Sequence, residues 1–162
     1  MGNTVIRAKF IGLPGNNAET IQFLVNLHWR QFECLVERLY NKMGYDTQLT
    51  PPQKDEGRDI IASRQEAGKH EHLRIECKRY SSRPVGIGIV QRLLGVASGE
   101  KVNKGVLVTT SHFSGPARRF ADENPRIELI DGDQLVRLLN EYLGSKWPFH
   151  IERYITECQR KR

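Results

Sequence analysis

A continuous apolar segment near the middle of the chain is the strongest constraint on the fold. The sequence KGVLVTT, residues 104–110, is short and rich in β-branched residues. This pattern is typical of a strand that is covered on both faces. Such a strand needs helices on both sides of its sheet. The segment therefore predicts an α/β architecture.

Hydrophobic periodicity predicts the elements that precede this strand. Residues 26–43 carry apolar side chains at helical spacing, with Asn26 placed as N-cap and Gly44 as the C-terminal stop. The segment YDTQL, residues 45–49, then predicts a short strand. An amphipathic helix followed by a strand is therefore expected before the central segment.

The same reasoning predicts a regular alternation of helices and strands in the second half of the chain. Helices are predicted at 87–97, after the cap Ser114, and after Asp131 or Asp133, with IELI (127–130) as a strand. Together with the earlier elements, this order predicts an α/β domain with a mixed β-sheet flanked by helices.

The chain length favours a single domain. The 162 residues are enough for one core and too few for two ordinary domains. We expect an N-terminal extension at 1–25, with a β-like stretch TVIRAKFIG, a domain at 26–143, and a basic C-terminal tail at 144–162 that adds a short helix.

The charge balance indicates an acidic partner. The formal net charge is +6 and the pI is near 9.4, a combination that favours association with polyanions such as nucleic acid. The sequence has neither the ~20 apolar residues needed to cross a bilayer nor the apolar core of a secretory signal. We therefore expect DNA as a partner, no membrane and a cytoplasmic location.

The cysteines and histidines give little support for a zinc site. Cys34, Cys77 and Cys158 are widely separated and form no Cys-x-x-Cys pair, so we expect neither a zinc cluster nor a disulfide framework. This cysteine usage fits a reducing cytoplasm. His70 and His72 lie close in sequence, but an exposed turn between strands explains them better than a metal site.

Two neighbouring predicted strands carry the candidate catalytic residues. The segments GRDIIAS (57–63) and EHLRIECK (71–78) predict a hairpin or short meander. Because side chains alternate along a strand, one face of the second strand carries Leu73, Ile75 and Cys77. The opposite face carries Arg74, Glu76 and Lys78. Asp59, on the adjacent strand, joins Glu76 and Lys78 if the register permits.

These residue types suit metal-assisted hydrolysis of a phosphodiester. Asp59 and Glu76 are the carboxylates that Mg²⁺ prefers, and the main-chain carbonyl of Cys77 supplies a further oxygen. Lys78 is placed to orient the attacking water and to stabilise the transition state. The alternative is an exposed ion pair worth roughly 0–1 kcal/mol. Glu-x-Lys is common by chance, so the residues alone leave both interpretations open.

Several separate blocks of the chain resemble one family. They are QFECLVERLYNKMGYDTQLTPPQKDEGRDIIA, LRIECKRYSSRPVGIGIVQRLLG, KGVLVTTSHFSGPARRFA and IELIDGDQL. Residues 29–139 are similar to the Mrr-like restriction endonuclease domain, a branch of the PD-(D/E)XK nucleases. The resemblance depends on the order of several blocks and implies a restriction-endonuclease-like αβββαβ core.

The resemblance also implies an activity and a set of site residues. It implies Mg²⁺-dependent cleavage of DNA, with Mn²⁺ as a substitute, and it places the family's catalytic motif on Asp59, Glu76 and Lys78. A first-helix glutamate at the metal site corresponds to Glu33, and a glutamine near the catalytic centre corresponds to Gln91. Many Mrr relatives have glutamine where this chain has Glu76, which here matches the more general superfamily motif.

The partners implied by charge and resemblance complete the expectation. Residues expected to contact nucleic acid are Arg79, Tyr80, Arg83 and Arg92. The resemblance points to defence against foreign DNA, as a restriction or antiphage effector acting as a homodimer or within a larger complex. A Holliday-junction-resolving nuclease, a DNA-binding subunit that does not cut, and a protein-interaction scaffold stay open as alternatives.

Overall fold

The computed structural model describes residues 17–52 and 58–160. The strands are β1 Asp46–Leu49, β2 Ile60–Glu66, β3 Lys69–Lys78, β4 Lys104–Thr109 and β5 Ile127–Ile130. The helices are α1 Asn17–Val25, α2 Trp29–Lys42, α3 Ile87–Gly99, α4 Gly115–Glu123, α5 Gly132–Leu143 and α6 Ile151–Arg160, with a 3₁₀ turn at Trp147–His150. The β-like stretch expected near the N-terminus lies outside the described residues.

The five strands form one mixed sheet in the order of the sequence, β1-β2-β3-β4-β5. The β1/β2 and β2/β3 pairs are antiparallel, whereas β3/β4 and β4/β5 are parallel. The parallel pairs are connected through α3 and α4, as crossover connections between parallel strands require. The sheet confirms the predicted mixed α/β architecture.

Helices cover both faces of the sheet. One core combines β-sheet residues with α1, α2, α5 and α6, and the other combines them with α3 and α4. In β4, Val106 and Val108 face the first core and Leu107 faces the second, and all three are fully buried. This confirms that the apolar segment at 104–110 is covered on both faces.

The caps of the helices confirm two predictions and correct one. Ser114 caps α4 and Asp131 caps α5. The N-cap of α2 is His28 rather than Asn26: the His28 ring accepts the Arg30 amide at 3.2 Å, and the Gln31 side chain accepts the His28 amide at 3.0 Å. A reciprocal box of this kind satisfies amides at the helix start, whereas the Asn26 side chain accepts a hydrogen bond from Gln22 of α1 at 3.1 Å.

Both ends of the described chain pack into the main core. Leu24 of α1 is fully buried, and so is Trp147 in the turn before α6. The predicted C-terminal helix is present as α6, with Ile151 and Tyr154 on its buried side. None of the described helices is long and apolar enough to span a bilayer.

The cysteines correct the expectation of three reduced thiols. Cys34 of α2 and Cys158 of α6 form a disulfide between residues 124 positions apart, with Cα atoms 5.8 Å apart. Their pairing depends on α6 folding back against α2, which sequence spacing does not reveal. Cys77 keeps a free thiol.

A close backbone contact fixes the start of α5. The Gly132 amide donates to the Ser111 carbonyl at 2.9 Å. A Cβ atom at Gly132 would lie 2.4 Å from the Thr110 carbonyl oxygen. Only glycine fits between α5 and the segment that follows β4.

Candidate active site

The register of the hairpin places the two candidate carboxylates at the same end of the sheet. Ile60, directly after Asp59, pairs with Ile75, directly before Glu76. The backbone of Asp59 is fixed by Thr50: the Thr50 amide donates to the Asp59 carbonyl, and the Thr50 hydroxyl accepts the Asp59 amide, both at 2.9 Å. Asp59, directly before β2, is thereby tied to Thr50, directly after β1.

Glu76 lies between two cations. Its Oε1 atom is 3.2 Å from the Lys78 Nζ atom and 3.0 Å from an Arg92 guanidinium nitrogen. Glu76 and Lys78 are largely buried, whereas the Arg92 side chain is 60% exposed. The alternation of β3 therefore brings Glu76 and Lys78 together as predicted, and Arg92 joins them from α3.

Asp59 contacts a buried arginine for which the sequence reasoning gave no role. The Arg74 Nε atom donates to Asp59 Oδ2 at 2.8 Å, and its Nη1 atom donates to Glu100 at 2.6 Å. Burial raises the pKa of the Asp59 carboxyl above its ordinary value, and Glu76 raises it further, whereas Arg74 and Lys78 act in the opposite direction. This influence of Glu76 and Lys78 shows that the Asp59 carboxylate lies in their electrostatic neighbourhood.

Glu33 approaches the same place from α2. It is buried, and its Oε2 atom accepts the main-chain amide of Arg58 at 3.0 Å, directly before Asp59 in sequence. Burial raises the pKa of the Cys77 thiol well above its usual value, and the carboxylates of Glu33, Asp59 and Glu76 add to this effect. The carboxylates of Glu33, Asp59 and Glu76 therefore all act electrostatically on this position of β3.

The other predicted site residues are either exposed near the site or hydrogen-bonded to the scaffold. Gln91 is exposed in α3, directly before Arg92. Arg83 is exposed and stacks on the partly buried Tyr80 ring, with its guanidinium carbon 4.2 Å from the ring centroid. In contrast, the Arg79 guanidinium donates to the main-chain carbonyl of Val25, so it fixes the end of α1 to the residue that follows β3.

The donor chemistry of the site fits a hard divalent cation. Asp59 and Glu76 offer carboxylate oxygens, and the Cys77 carbonyl belongs to the same strand segment. Mg²⁺ is usually held through one or two carboxylates, with water and substrate phosphate in its other positions. Within 17–52 and 58–160, no three side chains among His, Cys, Asp and Glu form a metal-binding group. Carboxylate and main-chain carbonyl oxygens are donors of the kind that Mg²⁺ or Mn²⁺ accepts.

The histidines near the hairpin turn lie in β3 rather than in the turn itself. His70 and His72 stack with ring centroids 4.5 Å apart, and His72 Nδ1 is 3.0 Å from the Ser63 hydroxyl. The turn that connects β2 and β3 contains Gly68, at φ 77°. The cross-strand contact with Ser63 gives His72 a structural role.

A family model for the catalytic domain of Mrr, described as a restriction endonuclease, matches residues 24–139. The chain belongs to the Mrr restriction endonuclease family. It is 31% identical over 128 residues to the type IV methyl-directed restriction enzyme EcoKMrr of Escherichia coli strain K12. That alignment covers 76% of this chain and 41% of the relative. The chain therefore spans about two fifths of the length of that Mrr relative.

Two solved structures share the fold of this Mrr family member. The DNA modification-dependent restriction endonuclease AspBHI aligns with a TM-score of 0.68 at 21% identity, over 90% of this chain and 40% of that one. The restriction endonuclease MspJI, solved with a 27-mer oligonucleotide, aligns with a TM-score of 0.59 at 17% identity, over 88% and 35% of the two chains. The mixed sheet with flanking helices is thus a restriction endonuclease fold.

The sequence carried a signal for Arg74 that the sequence reasoning did not use. Arg74, Glu76 and Lys78 occupy alternate positions of one strand, so their side chains share a face. A role for Glu100 had no comparable signal, because its contact with Arg74 depends on how the end of α3 lies against β3.

Proposed function

We propose that the chain is a divalent-metal-dependent DNA endonuclease that acts in restriction of foreign DNA. The observation that carries this proposal is the clustering of Asp59, Glu76 and Lys78 at one end of β2 and β3 in a chain of the Mrr family. Phosphodiester hydrolysis needs an activated water and compensation of negative charge at the phosphate. Two carboxylates and one lysine at a common position meet these needs.

Each residue has a defined task in the proposal. Asp59 and Glu76, with the Cys77 carbonyl, would hold Mg²⁺ or Mn²⁺, and Glu33 would complete the acidic side of the site. These residues would thereby place a Lewis acid beside the phosphate and the attacking water. Lys78 donates hydrogen bonds to the attacking water and to the charge that develops on the phosphate. For this, its ammonium group exchanges its present contact with Glu76 for the substrate.

The surface around the site suits a nucleic acid backbone. Arg92 is exposed beside Glu76, and Arg83 is held over Tyr80, so both guanidinium groups are available to phosphates. Gln91 is exposed next to Arg92 and is proposed to contact the strand that is cut. The solved MspJI relative contains a bound oligonucleotide, and its likeness supports DNA as the substrate class here. A homodimer or larger defence complex is part of this proposal, whereas the Cys34–Cys158 disulfide removes the cysteine argument for a reducing cytoplasm.

The test is cleavage of supercoiled plasmid with Mg²⁺, Mn²⁺ or EDTA. The wild type should nick or linearise plasmid only with a divalent ion, whereas Asp59→Asn and Lys78→Met should lose activity about 10²-fold or more. Arg64→Met is the matched control for loss of one positive charge, because Arg64 pairs with Glu71 elsewhere on the hairpin. Equal cutting by wild type and Asp59→Asn, or salt-sensitive DNA binding without any cutting, would contradict the proposal.

The choice of DNA decides between restriction and junction resolution. The assay therefore includes linear duplex, single-stranded, methylated and four-way-junction DNA. A restriction enzyme should cut duplex plasmid, whether or not the DNA must carry modified bases. Selective, symmetrical nicking of junctions with no cutting of duplex would identify a junction-resolving nuclease instead.

A further inference from the structure

Arg74 is a buried cation that the proposed hydrolysis does not use. Its side chain is 11% exposed, and it bridges the carboxylates of Asp59 and Glu100. Burial of an arginine is costly unless its charge is compensated. The bridge therefore compensates both the arginine and the equally buried Asp59 carboxylate.

The same bridge opposes binding of a divalent cation. Asp59 Oδ2 accepts the Arg74 Nε–H at 2.8 Å, so a metal held by this carboxylate would share it with a positive charge. Like charges at short range in a largely buried site repel more strongly than they do in water. Arg74 thus lowers the affinity of the site for metal while it holds the Asp59 carboxylate in position without metal.

Glu100 provides a second acceptor for the guanidinium. It caps the C-terminal end of α3, and its side chain is 40% exposed, in contrast to Asp59 at 12%. The planar guanidinium donates through separate nitrogens to its two partners. Arg74 therefore remains paired with the Glu100 carboxylate when Asp59 coordinates a metal ion.

The other cations of the site differ from Arg74 in this respect. Lys78 is assigned to the attacking water, and Arg92 is mostly exposed and faces solvent. Both contact Glu76, not Asp59. Among the described residues, Arg74 is thus the cation that forms a hydrogen-bonded ion pair with the Asp59 carboxylate.

We propose that Arg74 is a positioning residue that holds Asp59 in the metal-free site and sets a low affinity for divalent metal, with Glu100 receiving the guanidinium when metal binds. This inference rests on the proposed function because it takes Asp59 as a metal ligand. As a consequence, metal and DNA bind together, because the negative phosphates of bound DNA restore the attraction for the metal ion that Arg74 removes.

The experiment measures Mn²⁺ binding to the full chain without DNA, through the electron paramagnetic resonance signal of free Mn²⁺. Arg74→Met should bind Mn²⁺ about tenfold more tightly than wild type, a change of ~1.4 kcal/mol. Glu100→Gln should bind about threefold more weakly, because the guanidinium is then left to Asp59 alone. Arg74→Lys should return the affinity towards the wild-type value.

Two further variants separate a specific role from general electrostatics. In the Arg74→Met background, Glu100→Gln should change the Mn²⁺ affinity by less than about twofold, because Glu100 acts through Arg74. Arg64→Met removes the same charge from a neighbouring strand and should leave the affinity unchanged. If Arg74→Met does not fold, the Mn²⁺ affinity of the Glu100→Gln variant, at an exposed position, tests the inference alone.

The outcomes distinguish this inference from the proposed function. If Arg74→Met fails to tighten Mn²⁺ binding, or if Glu100→Gln does not weaken it, the inference is overturned and the metal site stands. If wild type and Asp59→Asn bind Mn²⁺ equally, the metal site itself is overturned, and the inference falls with it.

Discussion

Replacement of Arg74 by methionine should lower the free energy of unfolding of the metal-free protein by about 3–5 kcal/mol at neutral pH, the usual effect of removing one partner of a buried ion pair. Arg74 and Asp59 are 11% and 12% exposed and lie 2.8 Å apart. Methionine keeps much of the side-chain volume, so the change tests the charge rather than the packing.

The magnitude follows from the geometry of the pair. At 2.8 Å and an effective dielectric constant of ~20, the gross Coulomb attraction is about 6 kcal/mol. The cost of burying the guanidinium offsets part of this attraction, which brings the expected loss into the range of about 3–5 kcal/mol. The contact of Arg74 with the more exposed Glu100 contributes less, because solvent screens it.

The assay is urea unfolding in EDTA of the wild type, Arg74→Met, Asp59→Asn and the double variant. Burial and Glu76 raise the pKa of Asp59, so the folded state disfavours the ionised carboxylate. Asp59→Asn removes this cost but leaves the buried Arg74 guanidinium paired with the more exposed Glu100, so it should lose less stability than Arg74→Met at neutral pH. The double variant should recover most of the stability that Arg74→Met loses, because no uncompensated carboxylate is left.

The pH dependence has a defined sign. A carboxyl whose pKa is raised in the folded state destabilises that state above the raised pKa, and this cost disappears as the pH falls through it. The deficit of Arg74→Met should therefore shrink as the pH is lowered from 7.5 towards ~4, the ordinary range of an aspartate. A loss below about 1 kcal/mol, or a double variant no more stable than Arg74→Met, would refute this reasoning.

Two further predictions concern the scaffold. Reduction of the Cys34–Cys158 disulfide, or the Cys158→Ser substitution, should lower the free energy of unfolding by about 2–5 kcal/mol in urea, since the bridge closes a loop of 124 residues. Reductant should then leave the free energy of unfolding of Cys158→Ser unchanged. An equal effect of reductant on the wild type and on Cys158→Ser would contradict the Cys34–Cys158 disulfide. Gly132→Ala should cost about 1–3 kcal/mol, because its Cβ would meet the Thr110 carbonyl oxygen. The matched control is Gly95→Ala, where an added Cβ would lie in open space in the middle of α3, and its free energy of unfolding should rise by up to about 1 kcal/mol. Equal stability of the two variants would contradict the predicted clash at Gly132.

Most of the fold could be predicted from the sequence because its elements have strong local signals. The apolar segment of β4 and the alternation in β3 correspond to their positions in the sheet. The helix starts at Ser114 and Asp131 follow from side-chain caps. His28 was missed as the cap of α2 because its ring nitrogen replaces the oxygen that usually marks an N-cap.

The contacts between distant segments could not be predicted in the same way. The disulfide between Cys34 and Cys158 requires α6 to pack on α2, and the Arg74–Glu100 contact requires the end of α3 to lie beside β3. Both depend on three-dimensional packing rather than on local spacing. For the site, strand alternation placed Glu76 beside Lys78, but the family resemblance was needed to suggest Glu33.

The most direct test of the account is the single-turnover rate of plasmid cleavage as a function of Mg²⁺ concentration, compared between the wild type and Glu76→Gln. Glutamine keeps the shape of the side chain and removes the charge that is proposed to hold the metal. We expect a saturable, Mg²⁺-dependent rate for the wild type and a loss of about 10²-fold or more in the variant. Cleavage by Glu76→Gln with the wild-type rate and Mg²⁺ dependence would contradict it.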